Sequence, residues 1–422
     1  MRLLSLVSLS FFLAHCASYT DEIKAMRDDF VGSHYSAALE KMDKSSLRES
    51  QKNRLLFHME KAMILDRMGK LQDSRALLSR ADQIADELYT VSITKTAATF
   101  IVNESVADYA GEDYEKVAIH TIMALSYLEE GTLKEARVEA KKISLKLAEI
   151  TQKYDPQHAG YKEDAFALFL SGIIFEALEQ WDDAIIDYRQ AFGLFSSSAY
   201  SKFYEGPIPP SLVTSLYGVA KKRNRSDVLK DLKDRFPDLL AKADGLPKGG
   251  DLVVIHEAGN IVTKTAKDFV LPISGQIIRF SFPVIEKKKI AWQNTINGVN
   301  IDGVFHDASN LANMNGIAYQ CLEDRRGRLI LKSAARLITK AKLVDEAHKN
   351  FGPLGGIAAN IFAAATETAD TRSWTFLPQA FYITRVRLSP GKHDLEIKTA
   401  GRISQMQTVD VKEGEITLLR SK

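Results

Sequence analysis

Glu163-Asp-Ala-Phe-Ala-Leu-Phe-Leu-Ser-Gly-Ile-Ile-Phe-Glu-Ala-Leu178 is followed at once by Glu179-Gln-Trp-Asp-Asp-Ala184 and then by Ile185-Ile-Asp-Tyr-Arg-Gln-Ala-Phe-Gly-Leu-Phe195. The first run reads as a helix of about four turns. The next six residues open with a turn, and Asp183–Phe195 reads as a partner helix, because apolar residues recur three and four apart on both sides of the break. Trp181, Ala184, Tyr188 and Ala191 lie at helical spacing on the second member. The same shape, a turn and then a bulky residue and a small one, recurs at Gly32-Ser-His-Tyr-Ser-Ala37, Gly69-Lys-Leu-Gln-Asp-Ser74 and Gly131-Thr-Leu-Lys-Glu-Ala136. The glycine suits the left-handed end of a first helix. The small residue allows the two antiparallel helices to approach.

Helices Arg54–Met68 and Glu115–Glu130 are expected before two of these turns, and a further pair from Ser211 through Asn224 to Arg235, closed by Pro237. The pattern resembles the tetratricopeptide (TPR) helix-turn-helix repeat, whose period is about 34 residues. The spacing here is irregular: the small residues fall at 37, 74, 136 and 184. The longest gap contains Tyr89 to Gly111, rich in Thr, Val and Ile, read as an inserted or distorted segment. A TPR-like array implies a concave face and protein partners; a plain helical bundle is the alternative. The aromatic residues along the helices read as core. His58 and His120 stand alone in helical patterns and read as structural.

Met1 to Cys16 carries one charge, Arg2, an apolar run from Leu3 to Leu13 broken only by serines, and an exit into Cys16. That order is an export signal, too short to span a bilayer. Leu13-Ala14-His15-Cys16 resembles the lipobox of bacterial lipoproteins, although His15 stands where that family has Gly, Ala or Ser. The resemblance implies cleavage before Cys16 and acylation of its thiol, with several chains needed for a stable anchor. Ala17-Ser18 in place of an aspartate implies the outer membrane. An ordinary cleaved secretory signal is the alternative.

The chain has 422 residues and a net charge of +2, and loss of Arg2 with residues 1–15 leaves +1. Near-neutrality gives no electrostatic case for nucleic acid. With Cys16 acylated, Cys321 has no partner for a disulfide and reads as a buried thiol. The division expected is 1–15 signal peptide, 16–245 TPR-like helical domain, and 251–422 mixed α/β domain, separated by Gly245-Leu-Pro-Lys-Gly-Gly250.

After that boundary, Asp251–His256 and Gln276–Ile285 read as strands, with a third expected to include Trp292–Val299. Residues 308 to 348 read as one or two helices, with Arg325, Arg326 and Arg328 on a solvated face or against anionic headgroups. Lys287-Lys-Lys289 reads as a solvated edge. Phe351 to Thr368 reads as a buried Gly- and Ala-rich helix, or one that dips into a membrane or meets a partner. Its glycines make no phosphate loop. Ala380–Leu388, His393–Lys398, Ser404–Val411 and Glu415–Leu419 read as a β-meander. The fold class expected is α+β, an all-α repeat array followed by a mixed domain ending in antiparallel strands.

Taken whole, the chain resembles a family of bacterial lipoproteins with TPR-like repeats and an α/β C-terminal region. The segments carrying this are Tyr114-Glu115, Ala124-Leu-Ser-Tyr-Leu128, the Gly131 turn, Leu331–Leu343 and above all Asp370-Thr-Arg-Ser-Trp374 with Leu377-Pro378. That family has no established activity, so the resemblance implies location and architecture. Asp370, Arg372 and Trp374 are the candidate binding residues, with a structural alternative in which Asp370 pairs with Arg372 and Trp374 plugs the domain junction. The leading functional expectation is a non-enzymatic envelope scaffold, held by Cys16 and bound to an envelope protein through the helical repeats, with no cofactor. The rival is a ligand-binding or catalytic C-terminal half. Asp302, His306 and Asp307 are its close His/carboxylate group, without a third ligand at recognisable spacing. No Gly-x-Ser-x-Gly elbow or zinc-protease helix accompanies it.

Overall fold

The computed structural model describes residues 19–94, 107–153, 163–197, 207–273, 276–287, 297–327, 329–330, 342, 344–350, 352, 368–399 and 402–422. Cys16, the lipobox, residues 331–341 and nearly all of the Phe351–Thr368 segment lie outside them. Among the described residues, eleven α-helices run in chain order through the first half: α1 Tyr19–Val31, α2 Tyr35–Lys44, α3 Arg54–Arg67, α4 Leu71–Thr94, α5 Asp113–Glu129, α6 Leu133–Lys153, α7 Ala165–Ala177, α8 Trp181–Phe195, α9 Pro210–Lys222, α10 Ser226–Arg235 and α11 Pro237–Asp244.

Five hairpins share one turn. A residue of positive φ follows the first helix at Ser33 (62°), Gly69 (73°), Gly131 (73°), Glu179 (57°) and Asn224 (51°). In each, the next N–H reaches back to the helix, as Lys70 N does to Leu65 O at 2.9 Å and Gln180 N to Phe175 O at 2.8 Å. This is the Schellman termination, which satisfies carbonyls left over at a helix end. Five residues after each of the first four left-handed positions stands a fully buried small residue: Ala38, Ser74, Ala136 and Ala184. The first hairpin is therefore set one residue later than the sequence suggests, with Ser33 in the left-handed position instead of Gly32 and Ala38 at the contact instead of the exposed Ala37. The longest gap, from Ser74 to Ala136, holds both the long α4 and the stretch between α4 and α5; α4 takes in Tyr89–Thr94, the start of the segment expected to be inserted or distorted, and residues 95–106 of that segment lie outside the described residues.

The second half is built from strands β1 Gly250–Ala258, β2 Thr265–Ile273, β3 Gln276–Val284, β4 Gly298–Ile301, β5 Val304–Asp307, β6 Ser309–Asn313, β7 Ala380–Leu388, β8 Gly391–Thr399, β9 Arg402–Val411 and β10 Ile416–Ser421. One sheet has the order β10-β1-β7-β6, a second β5-β4-β8-β9, and β2 pairs with β3 alone. The class is α+β, and the last four strands fall close to the expected residues. Their pairing is not that of a simple meander. β7 and β8 enter different sheets, only β8 and β9 form a hairpin, and β10 returns to lie parallel to β1. Residues 309–313, expected in a helix, are strand, and the helix begins at 314.

The first sheet is a middle layer. Along β1, Val253 and Ile255 belong to the core shared with the helices, while Leu252 and Val254 pack with Val299, Ile301, Leu395 and Ile397 of the second sheet. The two-residue period of a strand sends alternate side chains to opposite faces. One continuous apolar core thus joins the helical array to the first sheet.

Candidate functional site

The first helices of three successive hairpins, α3, α5 and α7, carry carboxylates into this shared core. Glu60 sits among Leu55, Leu56, Met59, Met63 and Ile64, and is fully buried. A buried carboxylate needs hydrogen-bond donors or a cation. Here the donors come from the other half of the chain. Thr375 donates its N–H and its hydroxyl to Glu60 Oε1 at 2.7 and 2.8 Å, and Phe376 N–H donates to Oε2 at 3.0 Å. The Tyr19 hydroxyl lies 2.7 Å from both Glu60 Oε1 and the Ser373 carbonyl. Burial pushes the Glu60 carboxyl up to about 7, against the lowering effect of these donors.

One helix pair along, Glu115 of α5 accepts the N–H of Trp374 at 2.7 Å, the Tyr109 hydroxyl at 2.7 Å and the Glu112 N–H at 2.9 Å. Burial and the neighbouring Glu112 raise its pKa. Glu112 itself is pushed up by burial and pulled down further by Arg325 and Lys264, to about 2. It pairs with Lys264 and, at 2.7 Å, with Arg325. Arg325 is thus partly turned inward to the array, while Arg326 pairs on the same helix with Glu323; Arg328 lies outside the described residues.

Residues 370–376 form a strap laid across these carboxylates. Arg372 donates to both oxygens of Asp370 at 2.8 Å, and its Nη1 reaches Asn53 Oδ1 at 3.1 Å and the Ala107 carbonyl at 3.0 Å. Trp374 is wholly buried. Phe376 stacks on Phe30 of α1, ring centroids 4.5 Å apart. The candidate residues Asp370, Arg372 and Trp374 therefore face the chain's own helices, with Asp370 on Arg372 and Trp374 in the junction.

Two further clusters fasten the first sheet to the array. Arg420 of β10, fully buried, contacts both oxygens of Asp66 at 2.8 and 3.0 Å, Glu257 at 2.6 Å and Glu129 at 3.3 Å. Arg385 of β7 meets both oxygens of Glu176 at 2.8 Å, Asp251 at 2.5 Å and Ser215 at 2.7 Å. Bidentate guanidinium pairs of this kind combine charge with fixed geometry. Sequence reading missed Glu60, Arg385 and Arg420, and quoted Glu115 only within the Tyr114-Glu115 segment of the resemblance, with no role given to it. The only signal was a charged residue interrupting an apolar helix face or strand.

Asp302, His306 and Asp307 are not brought together as a site. Asp302 takes a positive φ of 50° in the β4–β5 turn and pairs with His393 Nδ1 at 2.6 Å. His306 lies across from Val299 and Asp307 across from Gly298 on the edge strand. No group of three metal-ligating side chains occurs among the described residues. His120, buried in α5, joins Glu139 of α6 at 2.8 Å and Asp82 of α4 at 3.3 Å. His58 contacts the Arg54 carbonyl of its own helix. Cys321 is buried, and burial pushes its thiol up.

No protein-family model and no curated protein matches this chain. Among solved structures it is similar to a Podosopora anserina protein of nearly identical TPR-like repeats named for the kinesin light chain. That match has 13% identity and a TM-score of 0.33, covering 53% of this chain and 95% of that one. It is also similar to the apo form of RapI, with 16% identity and a TM-score of 0.36, over 54% and 55% of the two chains. A third is MamA AMB-1, with 12% identity and a TM-score of 0.30, over 54% and 93%. The repeat reading of the helices rests on the five common turns and their buried small residues.

Proposed function

We propose that this protein is an exported, lipid-anchored scaffold of the bacterial cell envelope, held by Cys16 and engaging an envelope protein through its helical array. The observation that carries the scaffold reading is the way Glu60 and Glu115 accept three successive main-chain N–H groups, of Trp374, Thr375 and Phe376. A face that holds polypeptide by its main-chain N–H groups, here at the turn of Thr375 and Phe376, is suited to holding protein rather than to transforming a small molecule. In this chain that face holds the C-terminal half. Asp370, Arg372 and Trp374 then bind within the chain, and a partner meets the outer helices. Val138 and Leu145 of α6 and Ile186 of α8 are large apolar side chains left 49%, 64% and 53% exposed there. The partner belongs to cell-wall synthesis, outer-membrane assembly or export. The anchor rests on the Leu13-Ala14-His15-Cys16 sequence.

The test is fractionation and acyl labelling of cells producing the wild type or Cys16→Ala, each with a photo-crosslinker at Leu145 or Ile186. The expected result is labelled wild type in the outer membrane, soluble unlabelled variant, and one envelope protein crosslinked at both outer positions. Equal solubility without label removes the anchor. Crosslinks no different from those at a remote exposed position such as Lys392 remove the scaffold.

A further inference from the structure

Strand β9 ends the second sheet, and among the described residues its ten residues pair with β8 alone. In an antiparallel pair every second residue turns its N–H and C=O away from the neighbour, so a strand at a sheet edge offers a row of such groups to another chain. The first sheet sets its edge strands beside helices, β10 against α5 and β6 against α7. The other edge of the second sheet, β5, has only four residues. β9 is longer and barely guarded. From Ile403 to Val409 its sequence has no charge, no proline and no glycine. A bulge opposite Ile397 and Lys398 bends one end, and from Gln405 to Val411 the register with β8 is unbroken. Met406 lies across from Glu396, on the face turned away from the first sheet, and is 69% exposed.

The residues at the centre of this edge identify what it pairs with. Gln405-Met406-Gln407 reads alike in both directions. Antiparallel pairing about Met406 therefore sets Met406 against Met406 of a second copy, and each Gln405 against Gln407 of the other. Both glutamines lie on the face toward the first sheet, across from Ile397 and Leu395. Their amides are half matched within one chain. Gln405 Nε2 donates to Gln407 Oε1 at 2.9 Å, while Gln407 Nε2 has no acceptor. In this register Gln405 of the second copy brings its side-chain carbonyl beside that amide, and the ladder of amides runs on across the axis. Charge favours the same direction. Parallel in-register pairing would set the exposed Asp410 of one copy beside Asp410 of the other, a like-charge contact. Antiparallel pairing sends the two to opposite ends.

We propose that β9 is the contact of a twofold dimer, pairing antiparallel about Met406 with β9 of a second copy of this chain. The two second sheets then form one continuous sheet of eight strands. The contact is isologous and stops at two copies, because each β9 has one open edge.

The test is disulfide crosslinking of the full-length protein with Met406→Cys or Thr408→Cys, each exposed in the monomer. On the axis, two Cα atoms at position 406 stand about 5 Å apart, within disulfide reach. Two at position 408 are displaced along the strands by about 14 Å, outside it. Mild oxidation is expected to yield at least tenfold more dimer at 406 than at 408, with the wild type, which keeps Cys16 and Cys321, as baseline. Sedimentation of the wild type over a range of concentrations is expected to reveal a monomer–dimer equilibrium. Met406→Lys, which sets two ammonium groups face to face at a solvent-exposed position, is expected to abolish it. Equal crosslinking at 406 and 408, a wild type that stays monomeric at every concentration, or a dimer that survives Met406→Lys overturns the proposal.

Discussion

Glu60 and Thr375, 315 residues apart, are joined twice, by the N–H and by the hydroxyl of the threonine, both on one carboxylate oxygen. With Phe376 N–H on the other oxygen, this contact ties the second hairpin of the array to the strap before β7. The two halves depend on each other here: the strap N–H groups find their acceptor in the array, and Glu60 takes its donors from the strap beside the Tyr19 hydroxyl of its own half.

Replacing Glu60 exposes that dependence. Glu60→Ala leaves the N–H groups of Thr375 and Phe376 buried without acceptors, at about 1–3 kcal/mol for each. The pH dependence has a definite sign. The folded carboxyl is raised from 4.5 to about 7, so the native state binds the extra proton. Its contribution is fully present below about pH 4.5 and fades as pH rises through about 7, a change of about 3 kcal/mol. Urea unfolding at pH 5 and pH 7.5 should yield this downward slope in the wild type, and a flatter one in Glu60→Gln.

Arg420 is the fully buried cation on Asp66 and Glu257, with the more exposed Glu129 at its edge, and Arg67 and Lys422 pair with the same carboxylates. Arg420→Ala removes the bidentate partner of the buried Asp66 and should cost about 3 kcal/mol. Arg420→Lys should recover only part, because an ammonium cannot match both oxygens of Asp66 in one plane. Thermal melts of the two variants rank the losses; equal melting points for Lys and Arg would contradict the bidentate account.

His120 is a second pH-dependent element. Burial lowers its pKa, but Asp82 and Glu139 outweigh burial and raise it above 6.5. The stabilisation is therefore complete below about pH 6.5 and lost as pH rises through the folded value. His120→Gln should lose this dependence. An imidazole titration by NMR with a midpoint at or below 6.5 would contradict it.

Gly172 of α7 tests the close approach within the fourth hairpin. A Cβ there would stand 2.4 Å from the Tyr188 ring, which is fully buried and bonded to Glu176. Gly172→Ala should destabilise by about 1–3 kcal/mol through overpacking, despite alanine's better helix propensity. Gly193, with open space around it on α8, is the control: Gly193→Ala should stabilise or leave stability unchanged.

Sequence alone determined the helices and most long strands, because periodicity and turn chemistry are local. The four shared turns, the fifth at Asn224, and a strand at Ala380–Leu388 were all readable from spacing. Short strands β5 and β6 were not, since four or five residues carry too little pattern, and β4 meets the strand expected at Trp292–Val299 only at 298–299, residues 292–296 lying outside the described residues. The strap could be picked out from Asp370-Thr-Arg-Ser-Trp374, and so could the Asp370–Arg372 pairing, because its partners are two residues apart. Only tertiary structure decided that Glu60 and Glu115 would meet the strap backbone, that Arg385 and Arg420 would close on carboxylates of three different helices, and that β10 would lie parallel to β1. Each of these joins residues far apart in the sequence, where no local pattern records the partner. The low dielectric of the shared core makes those pairings obligatory once the two halves close on one another.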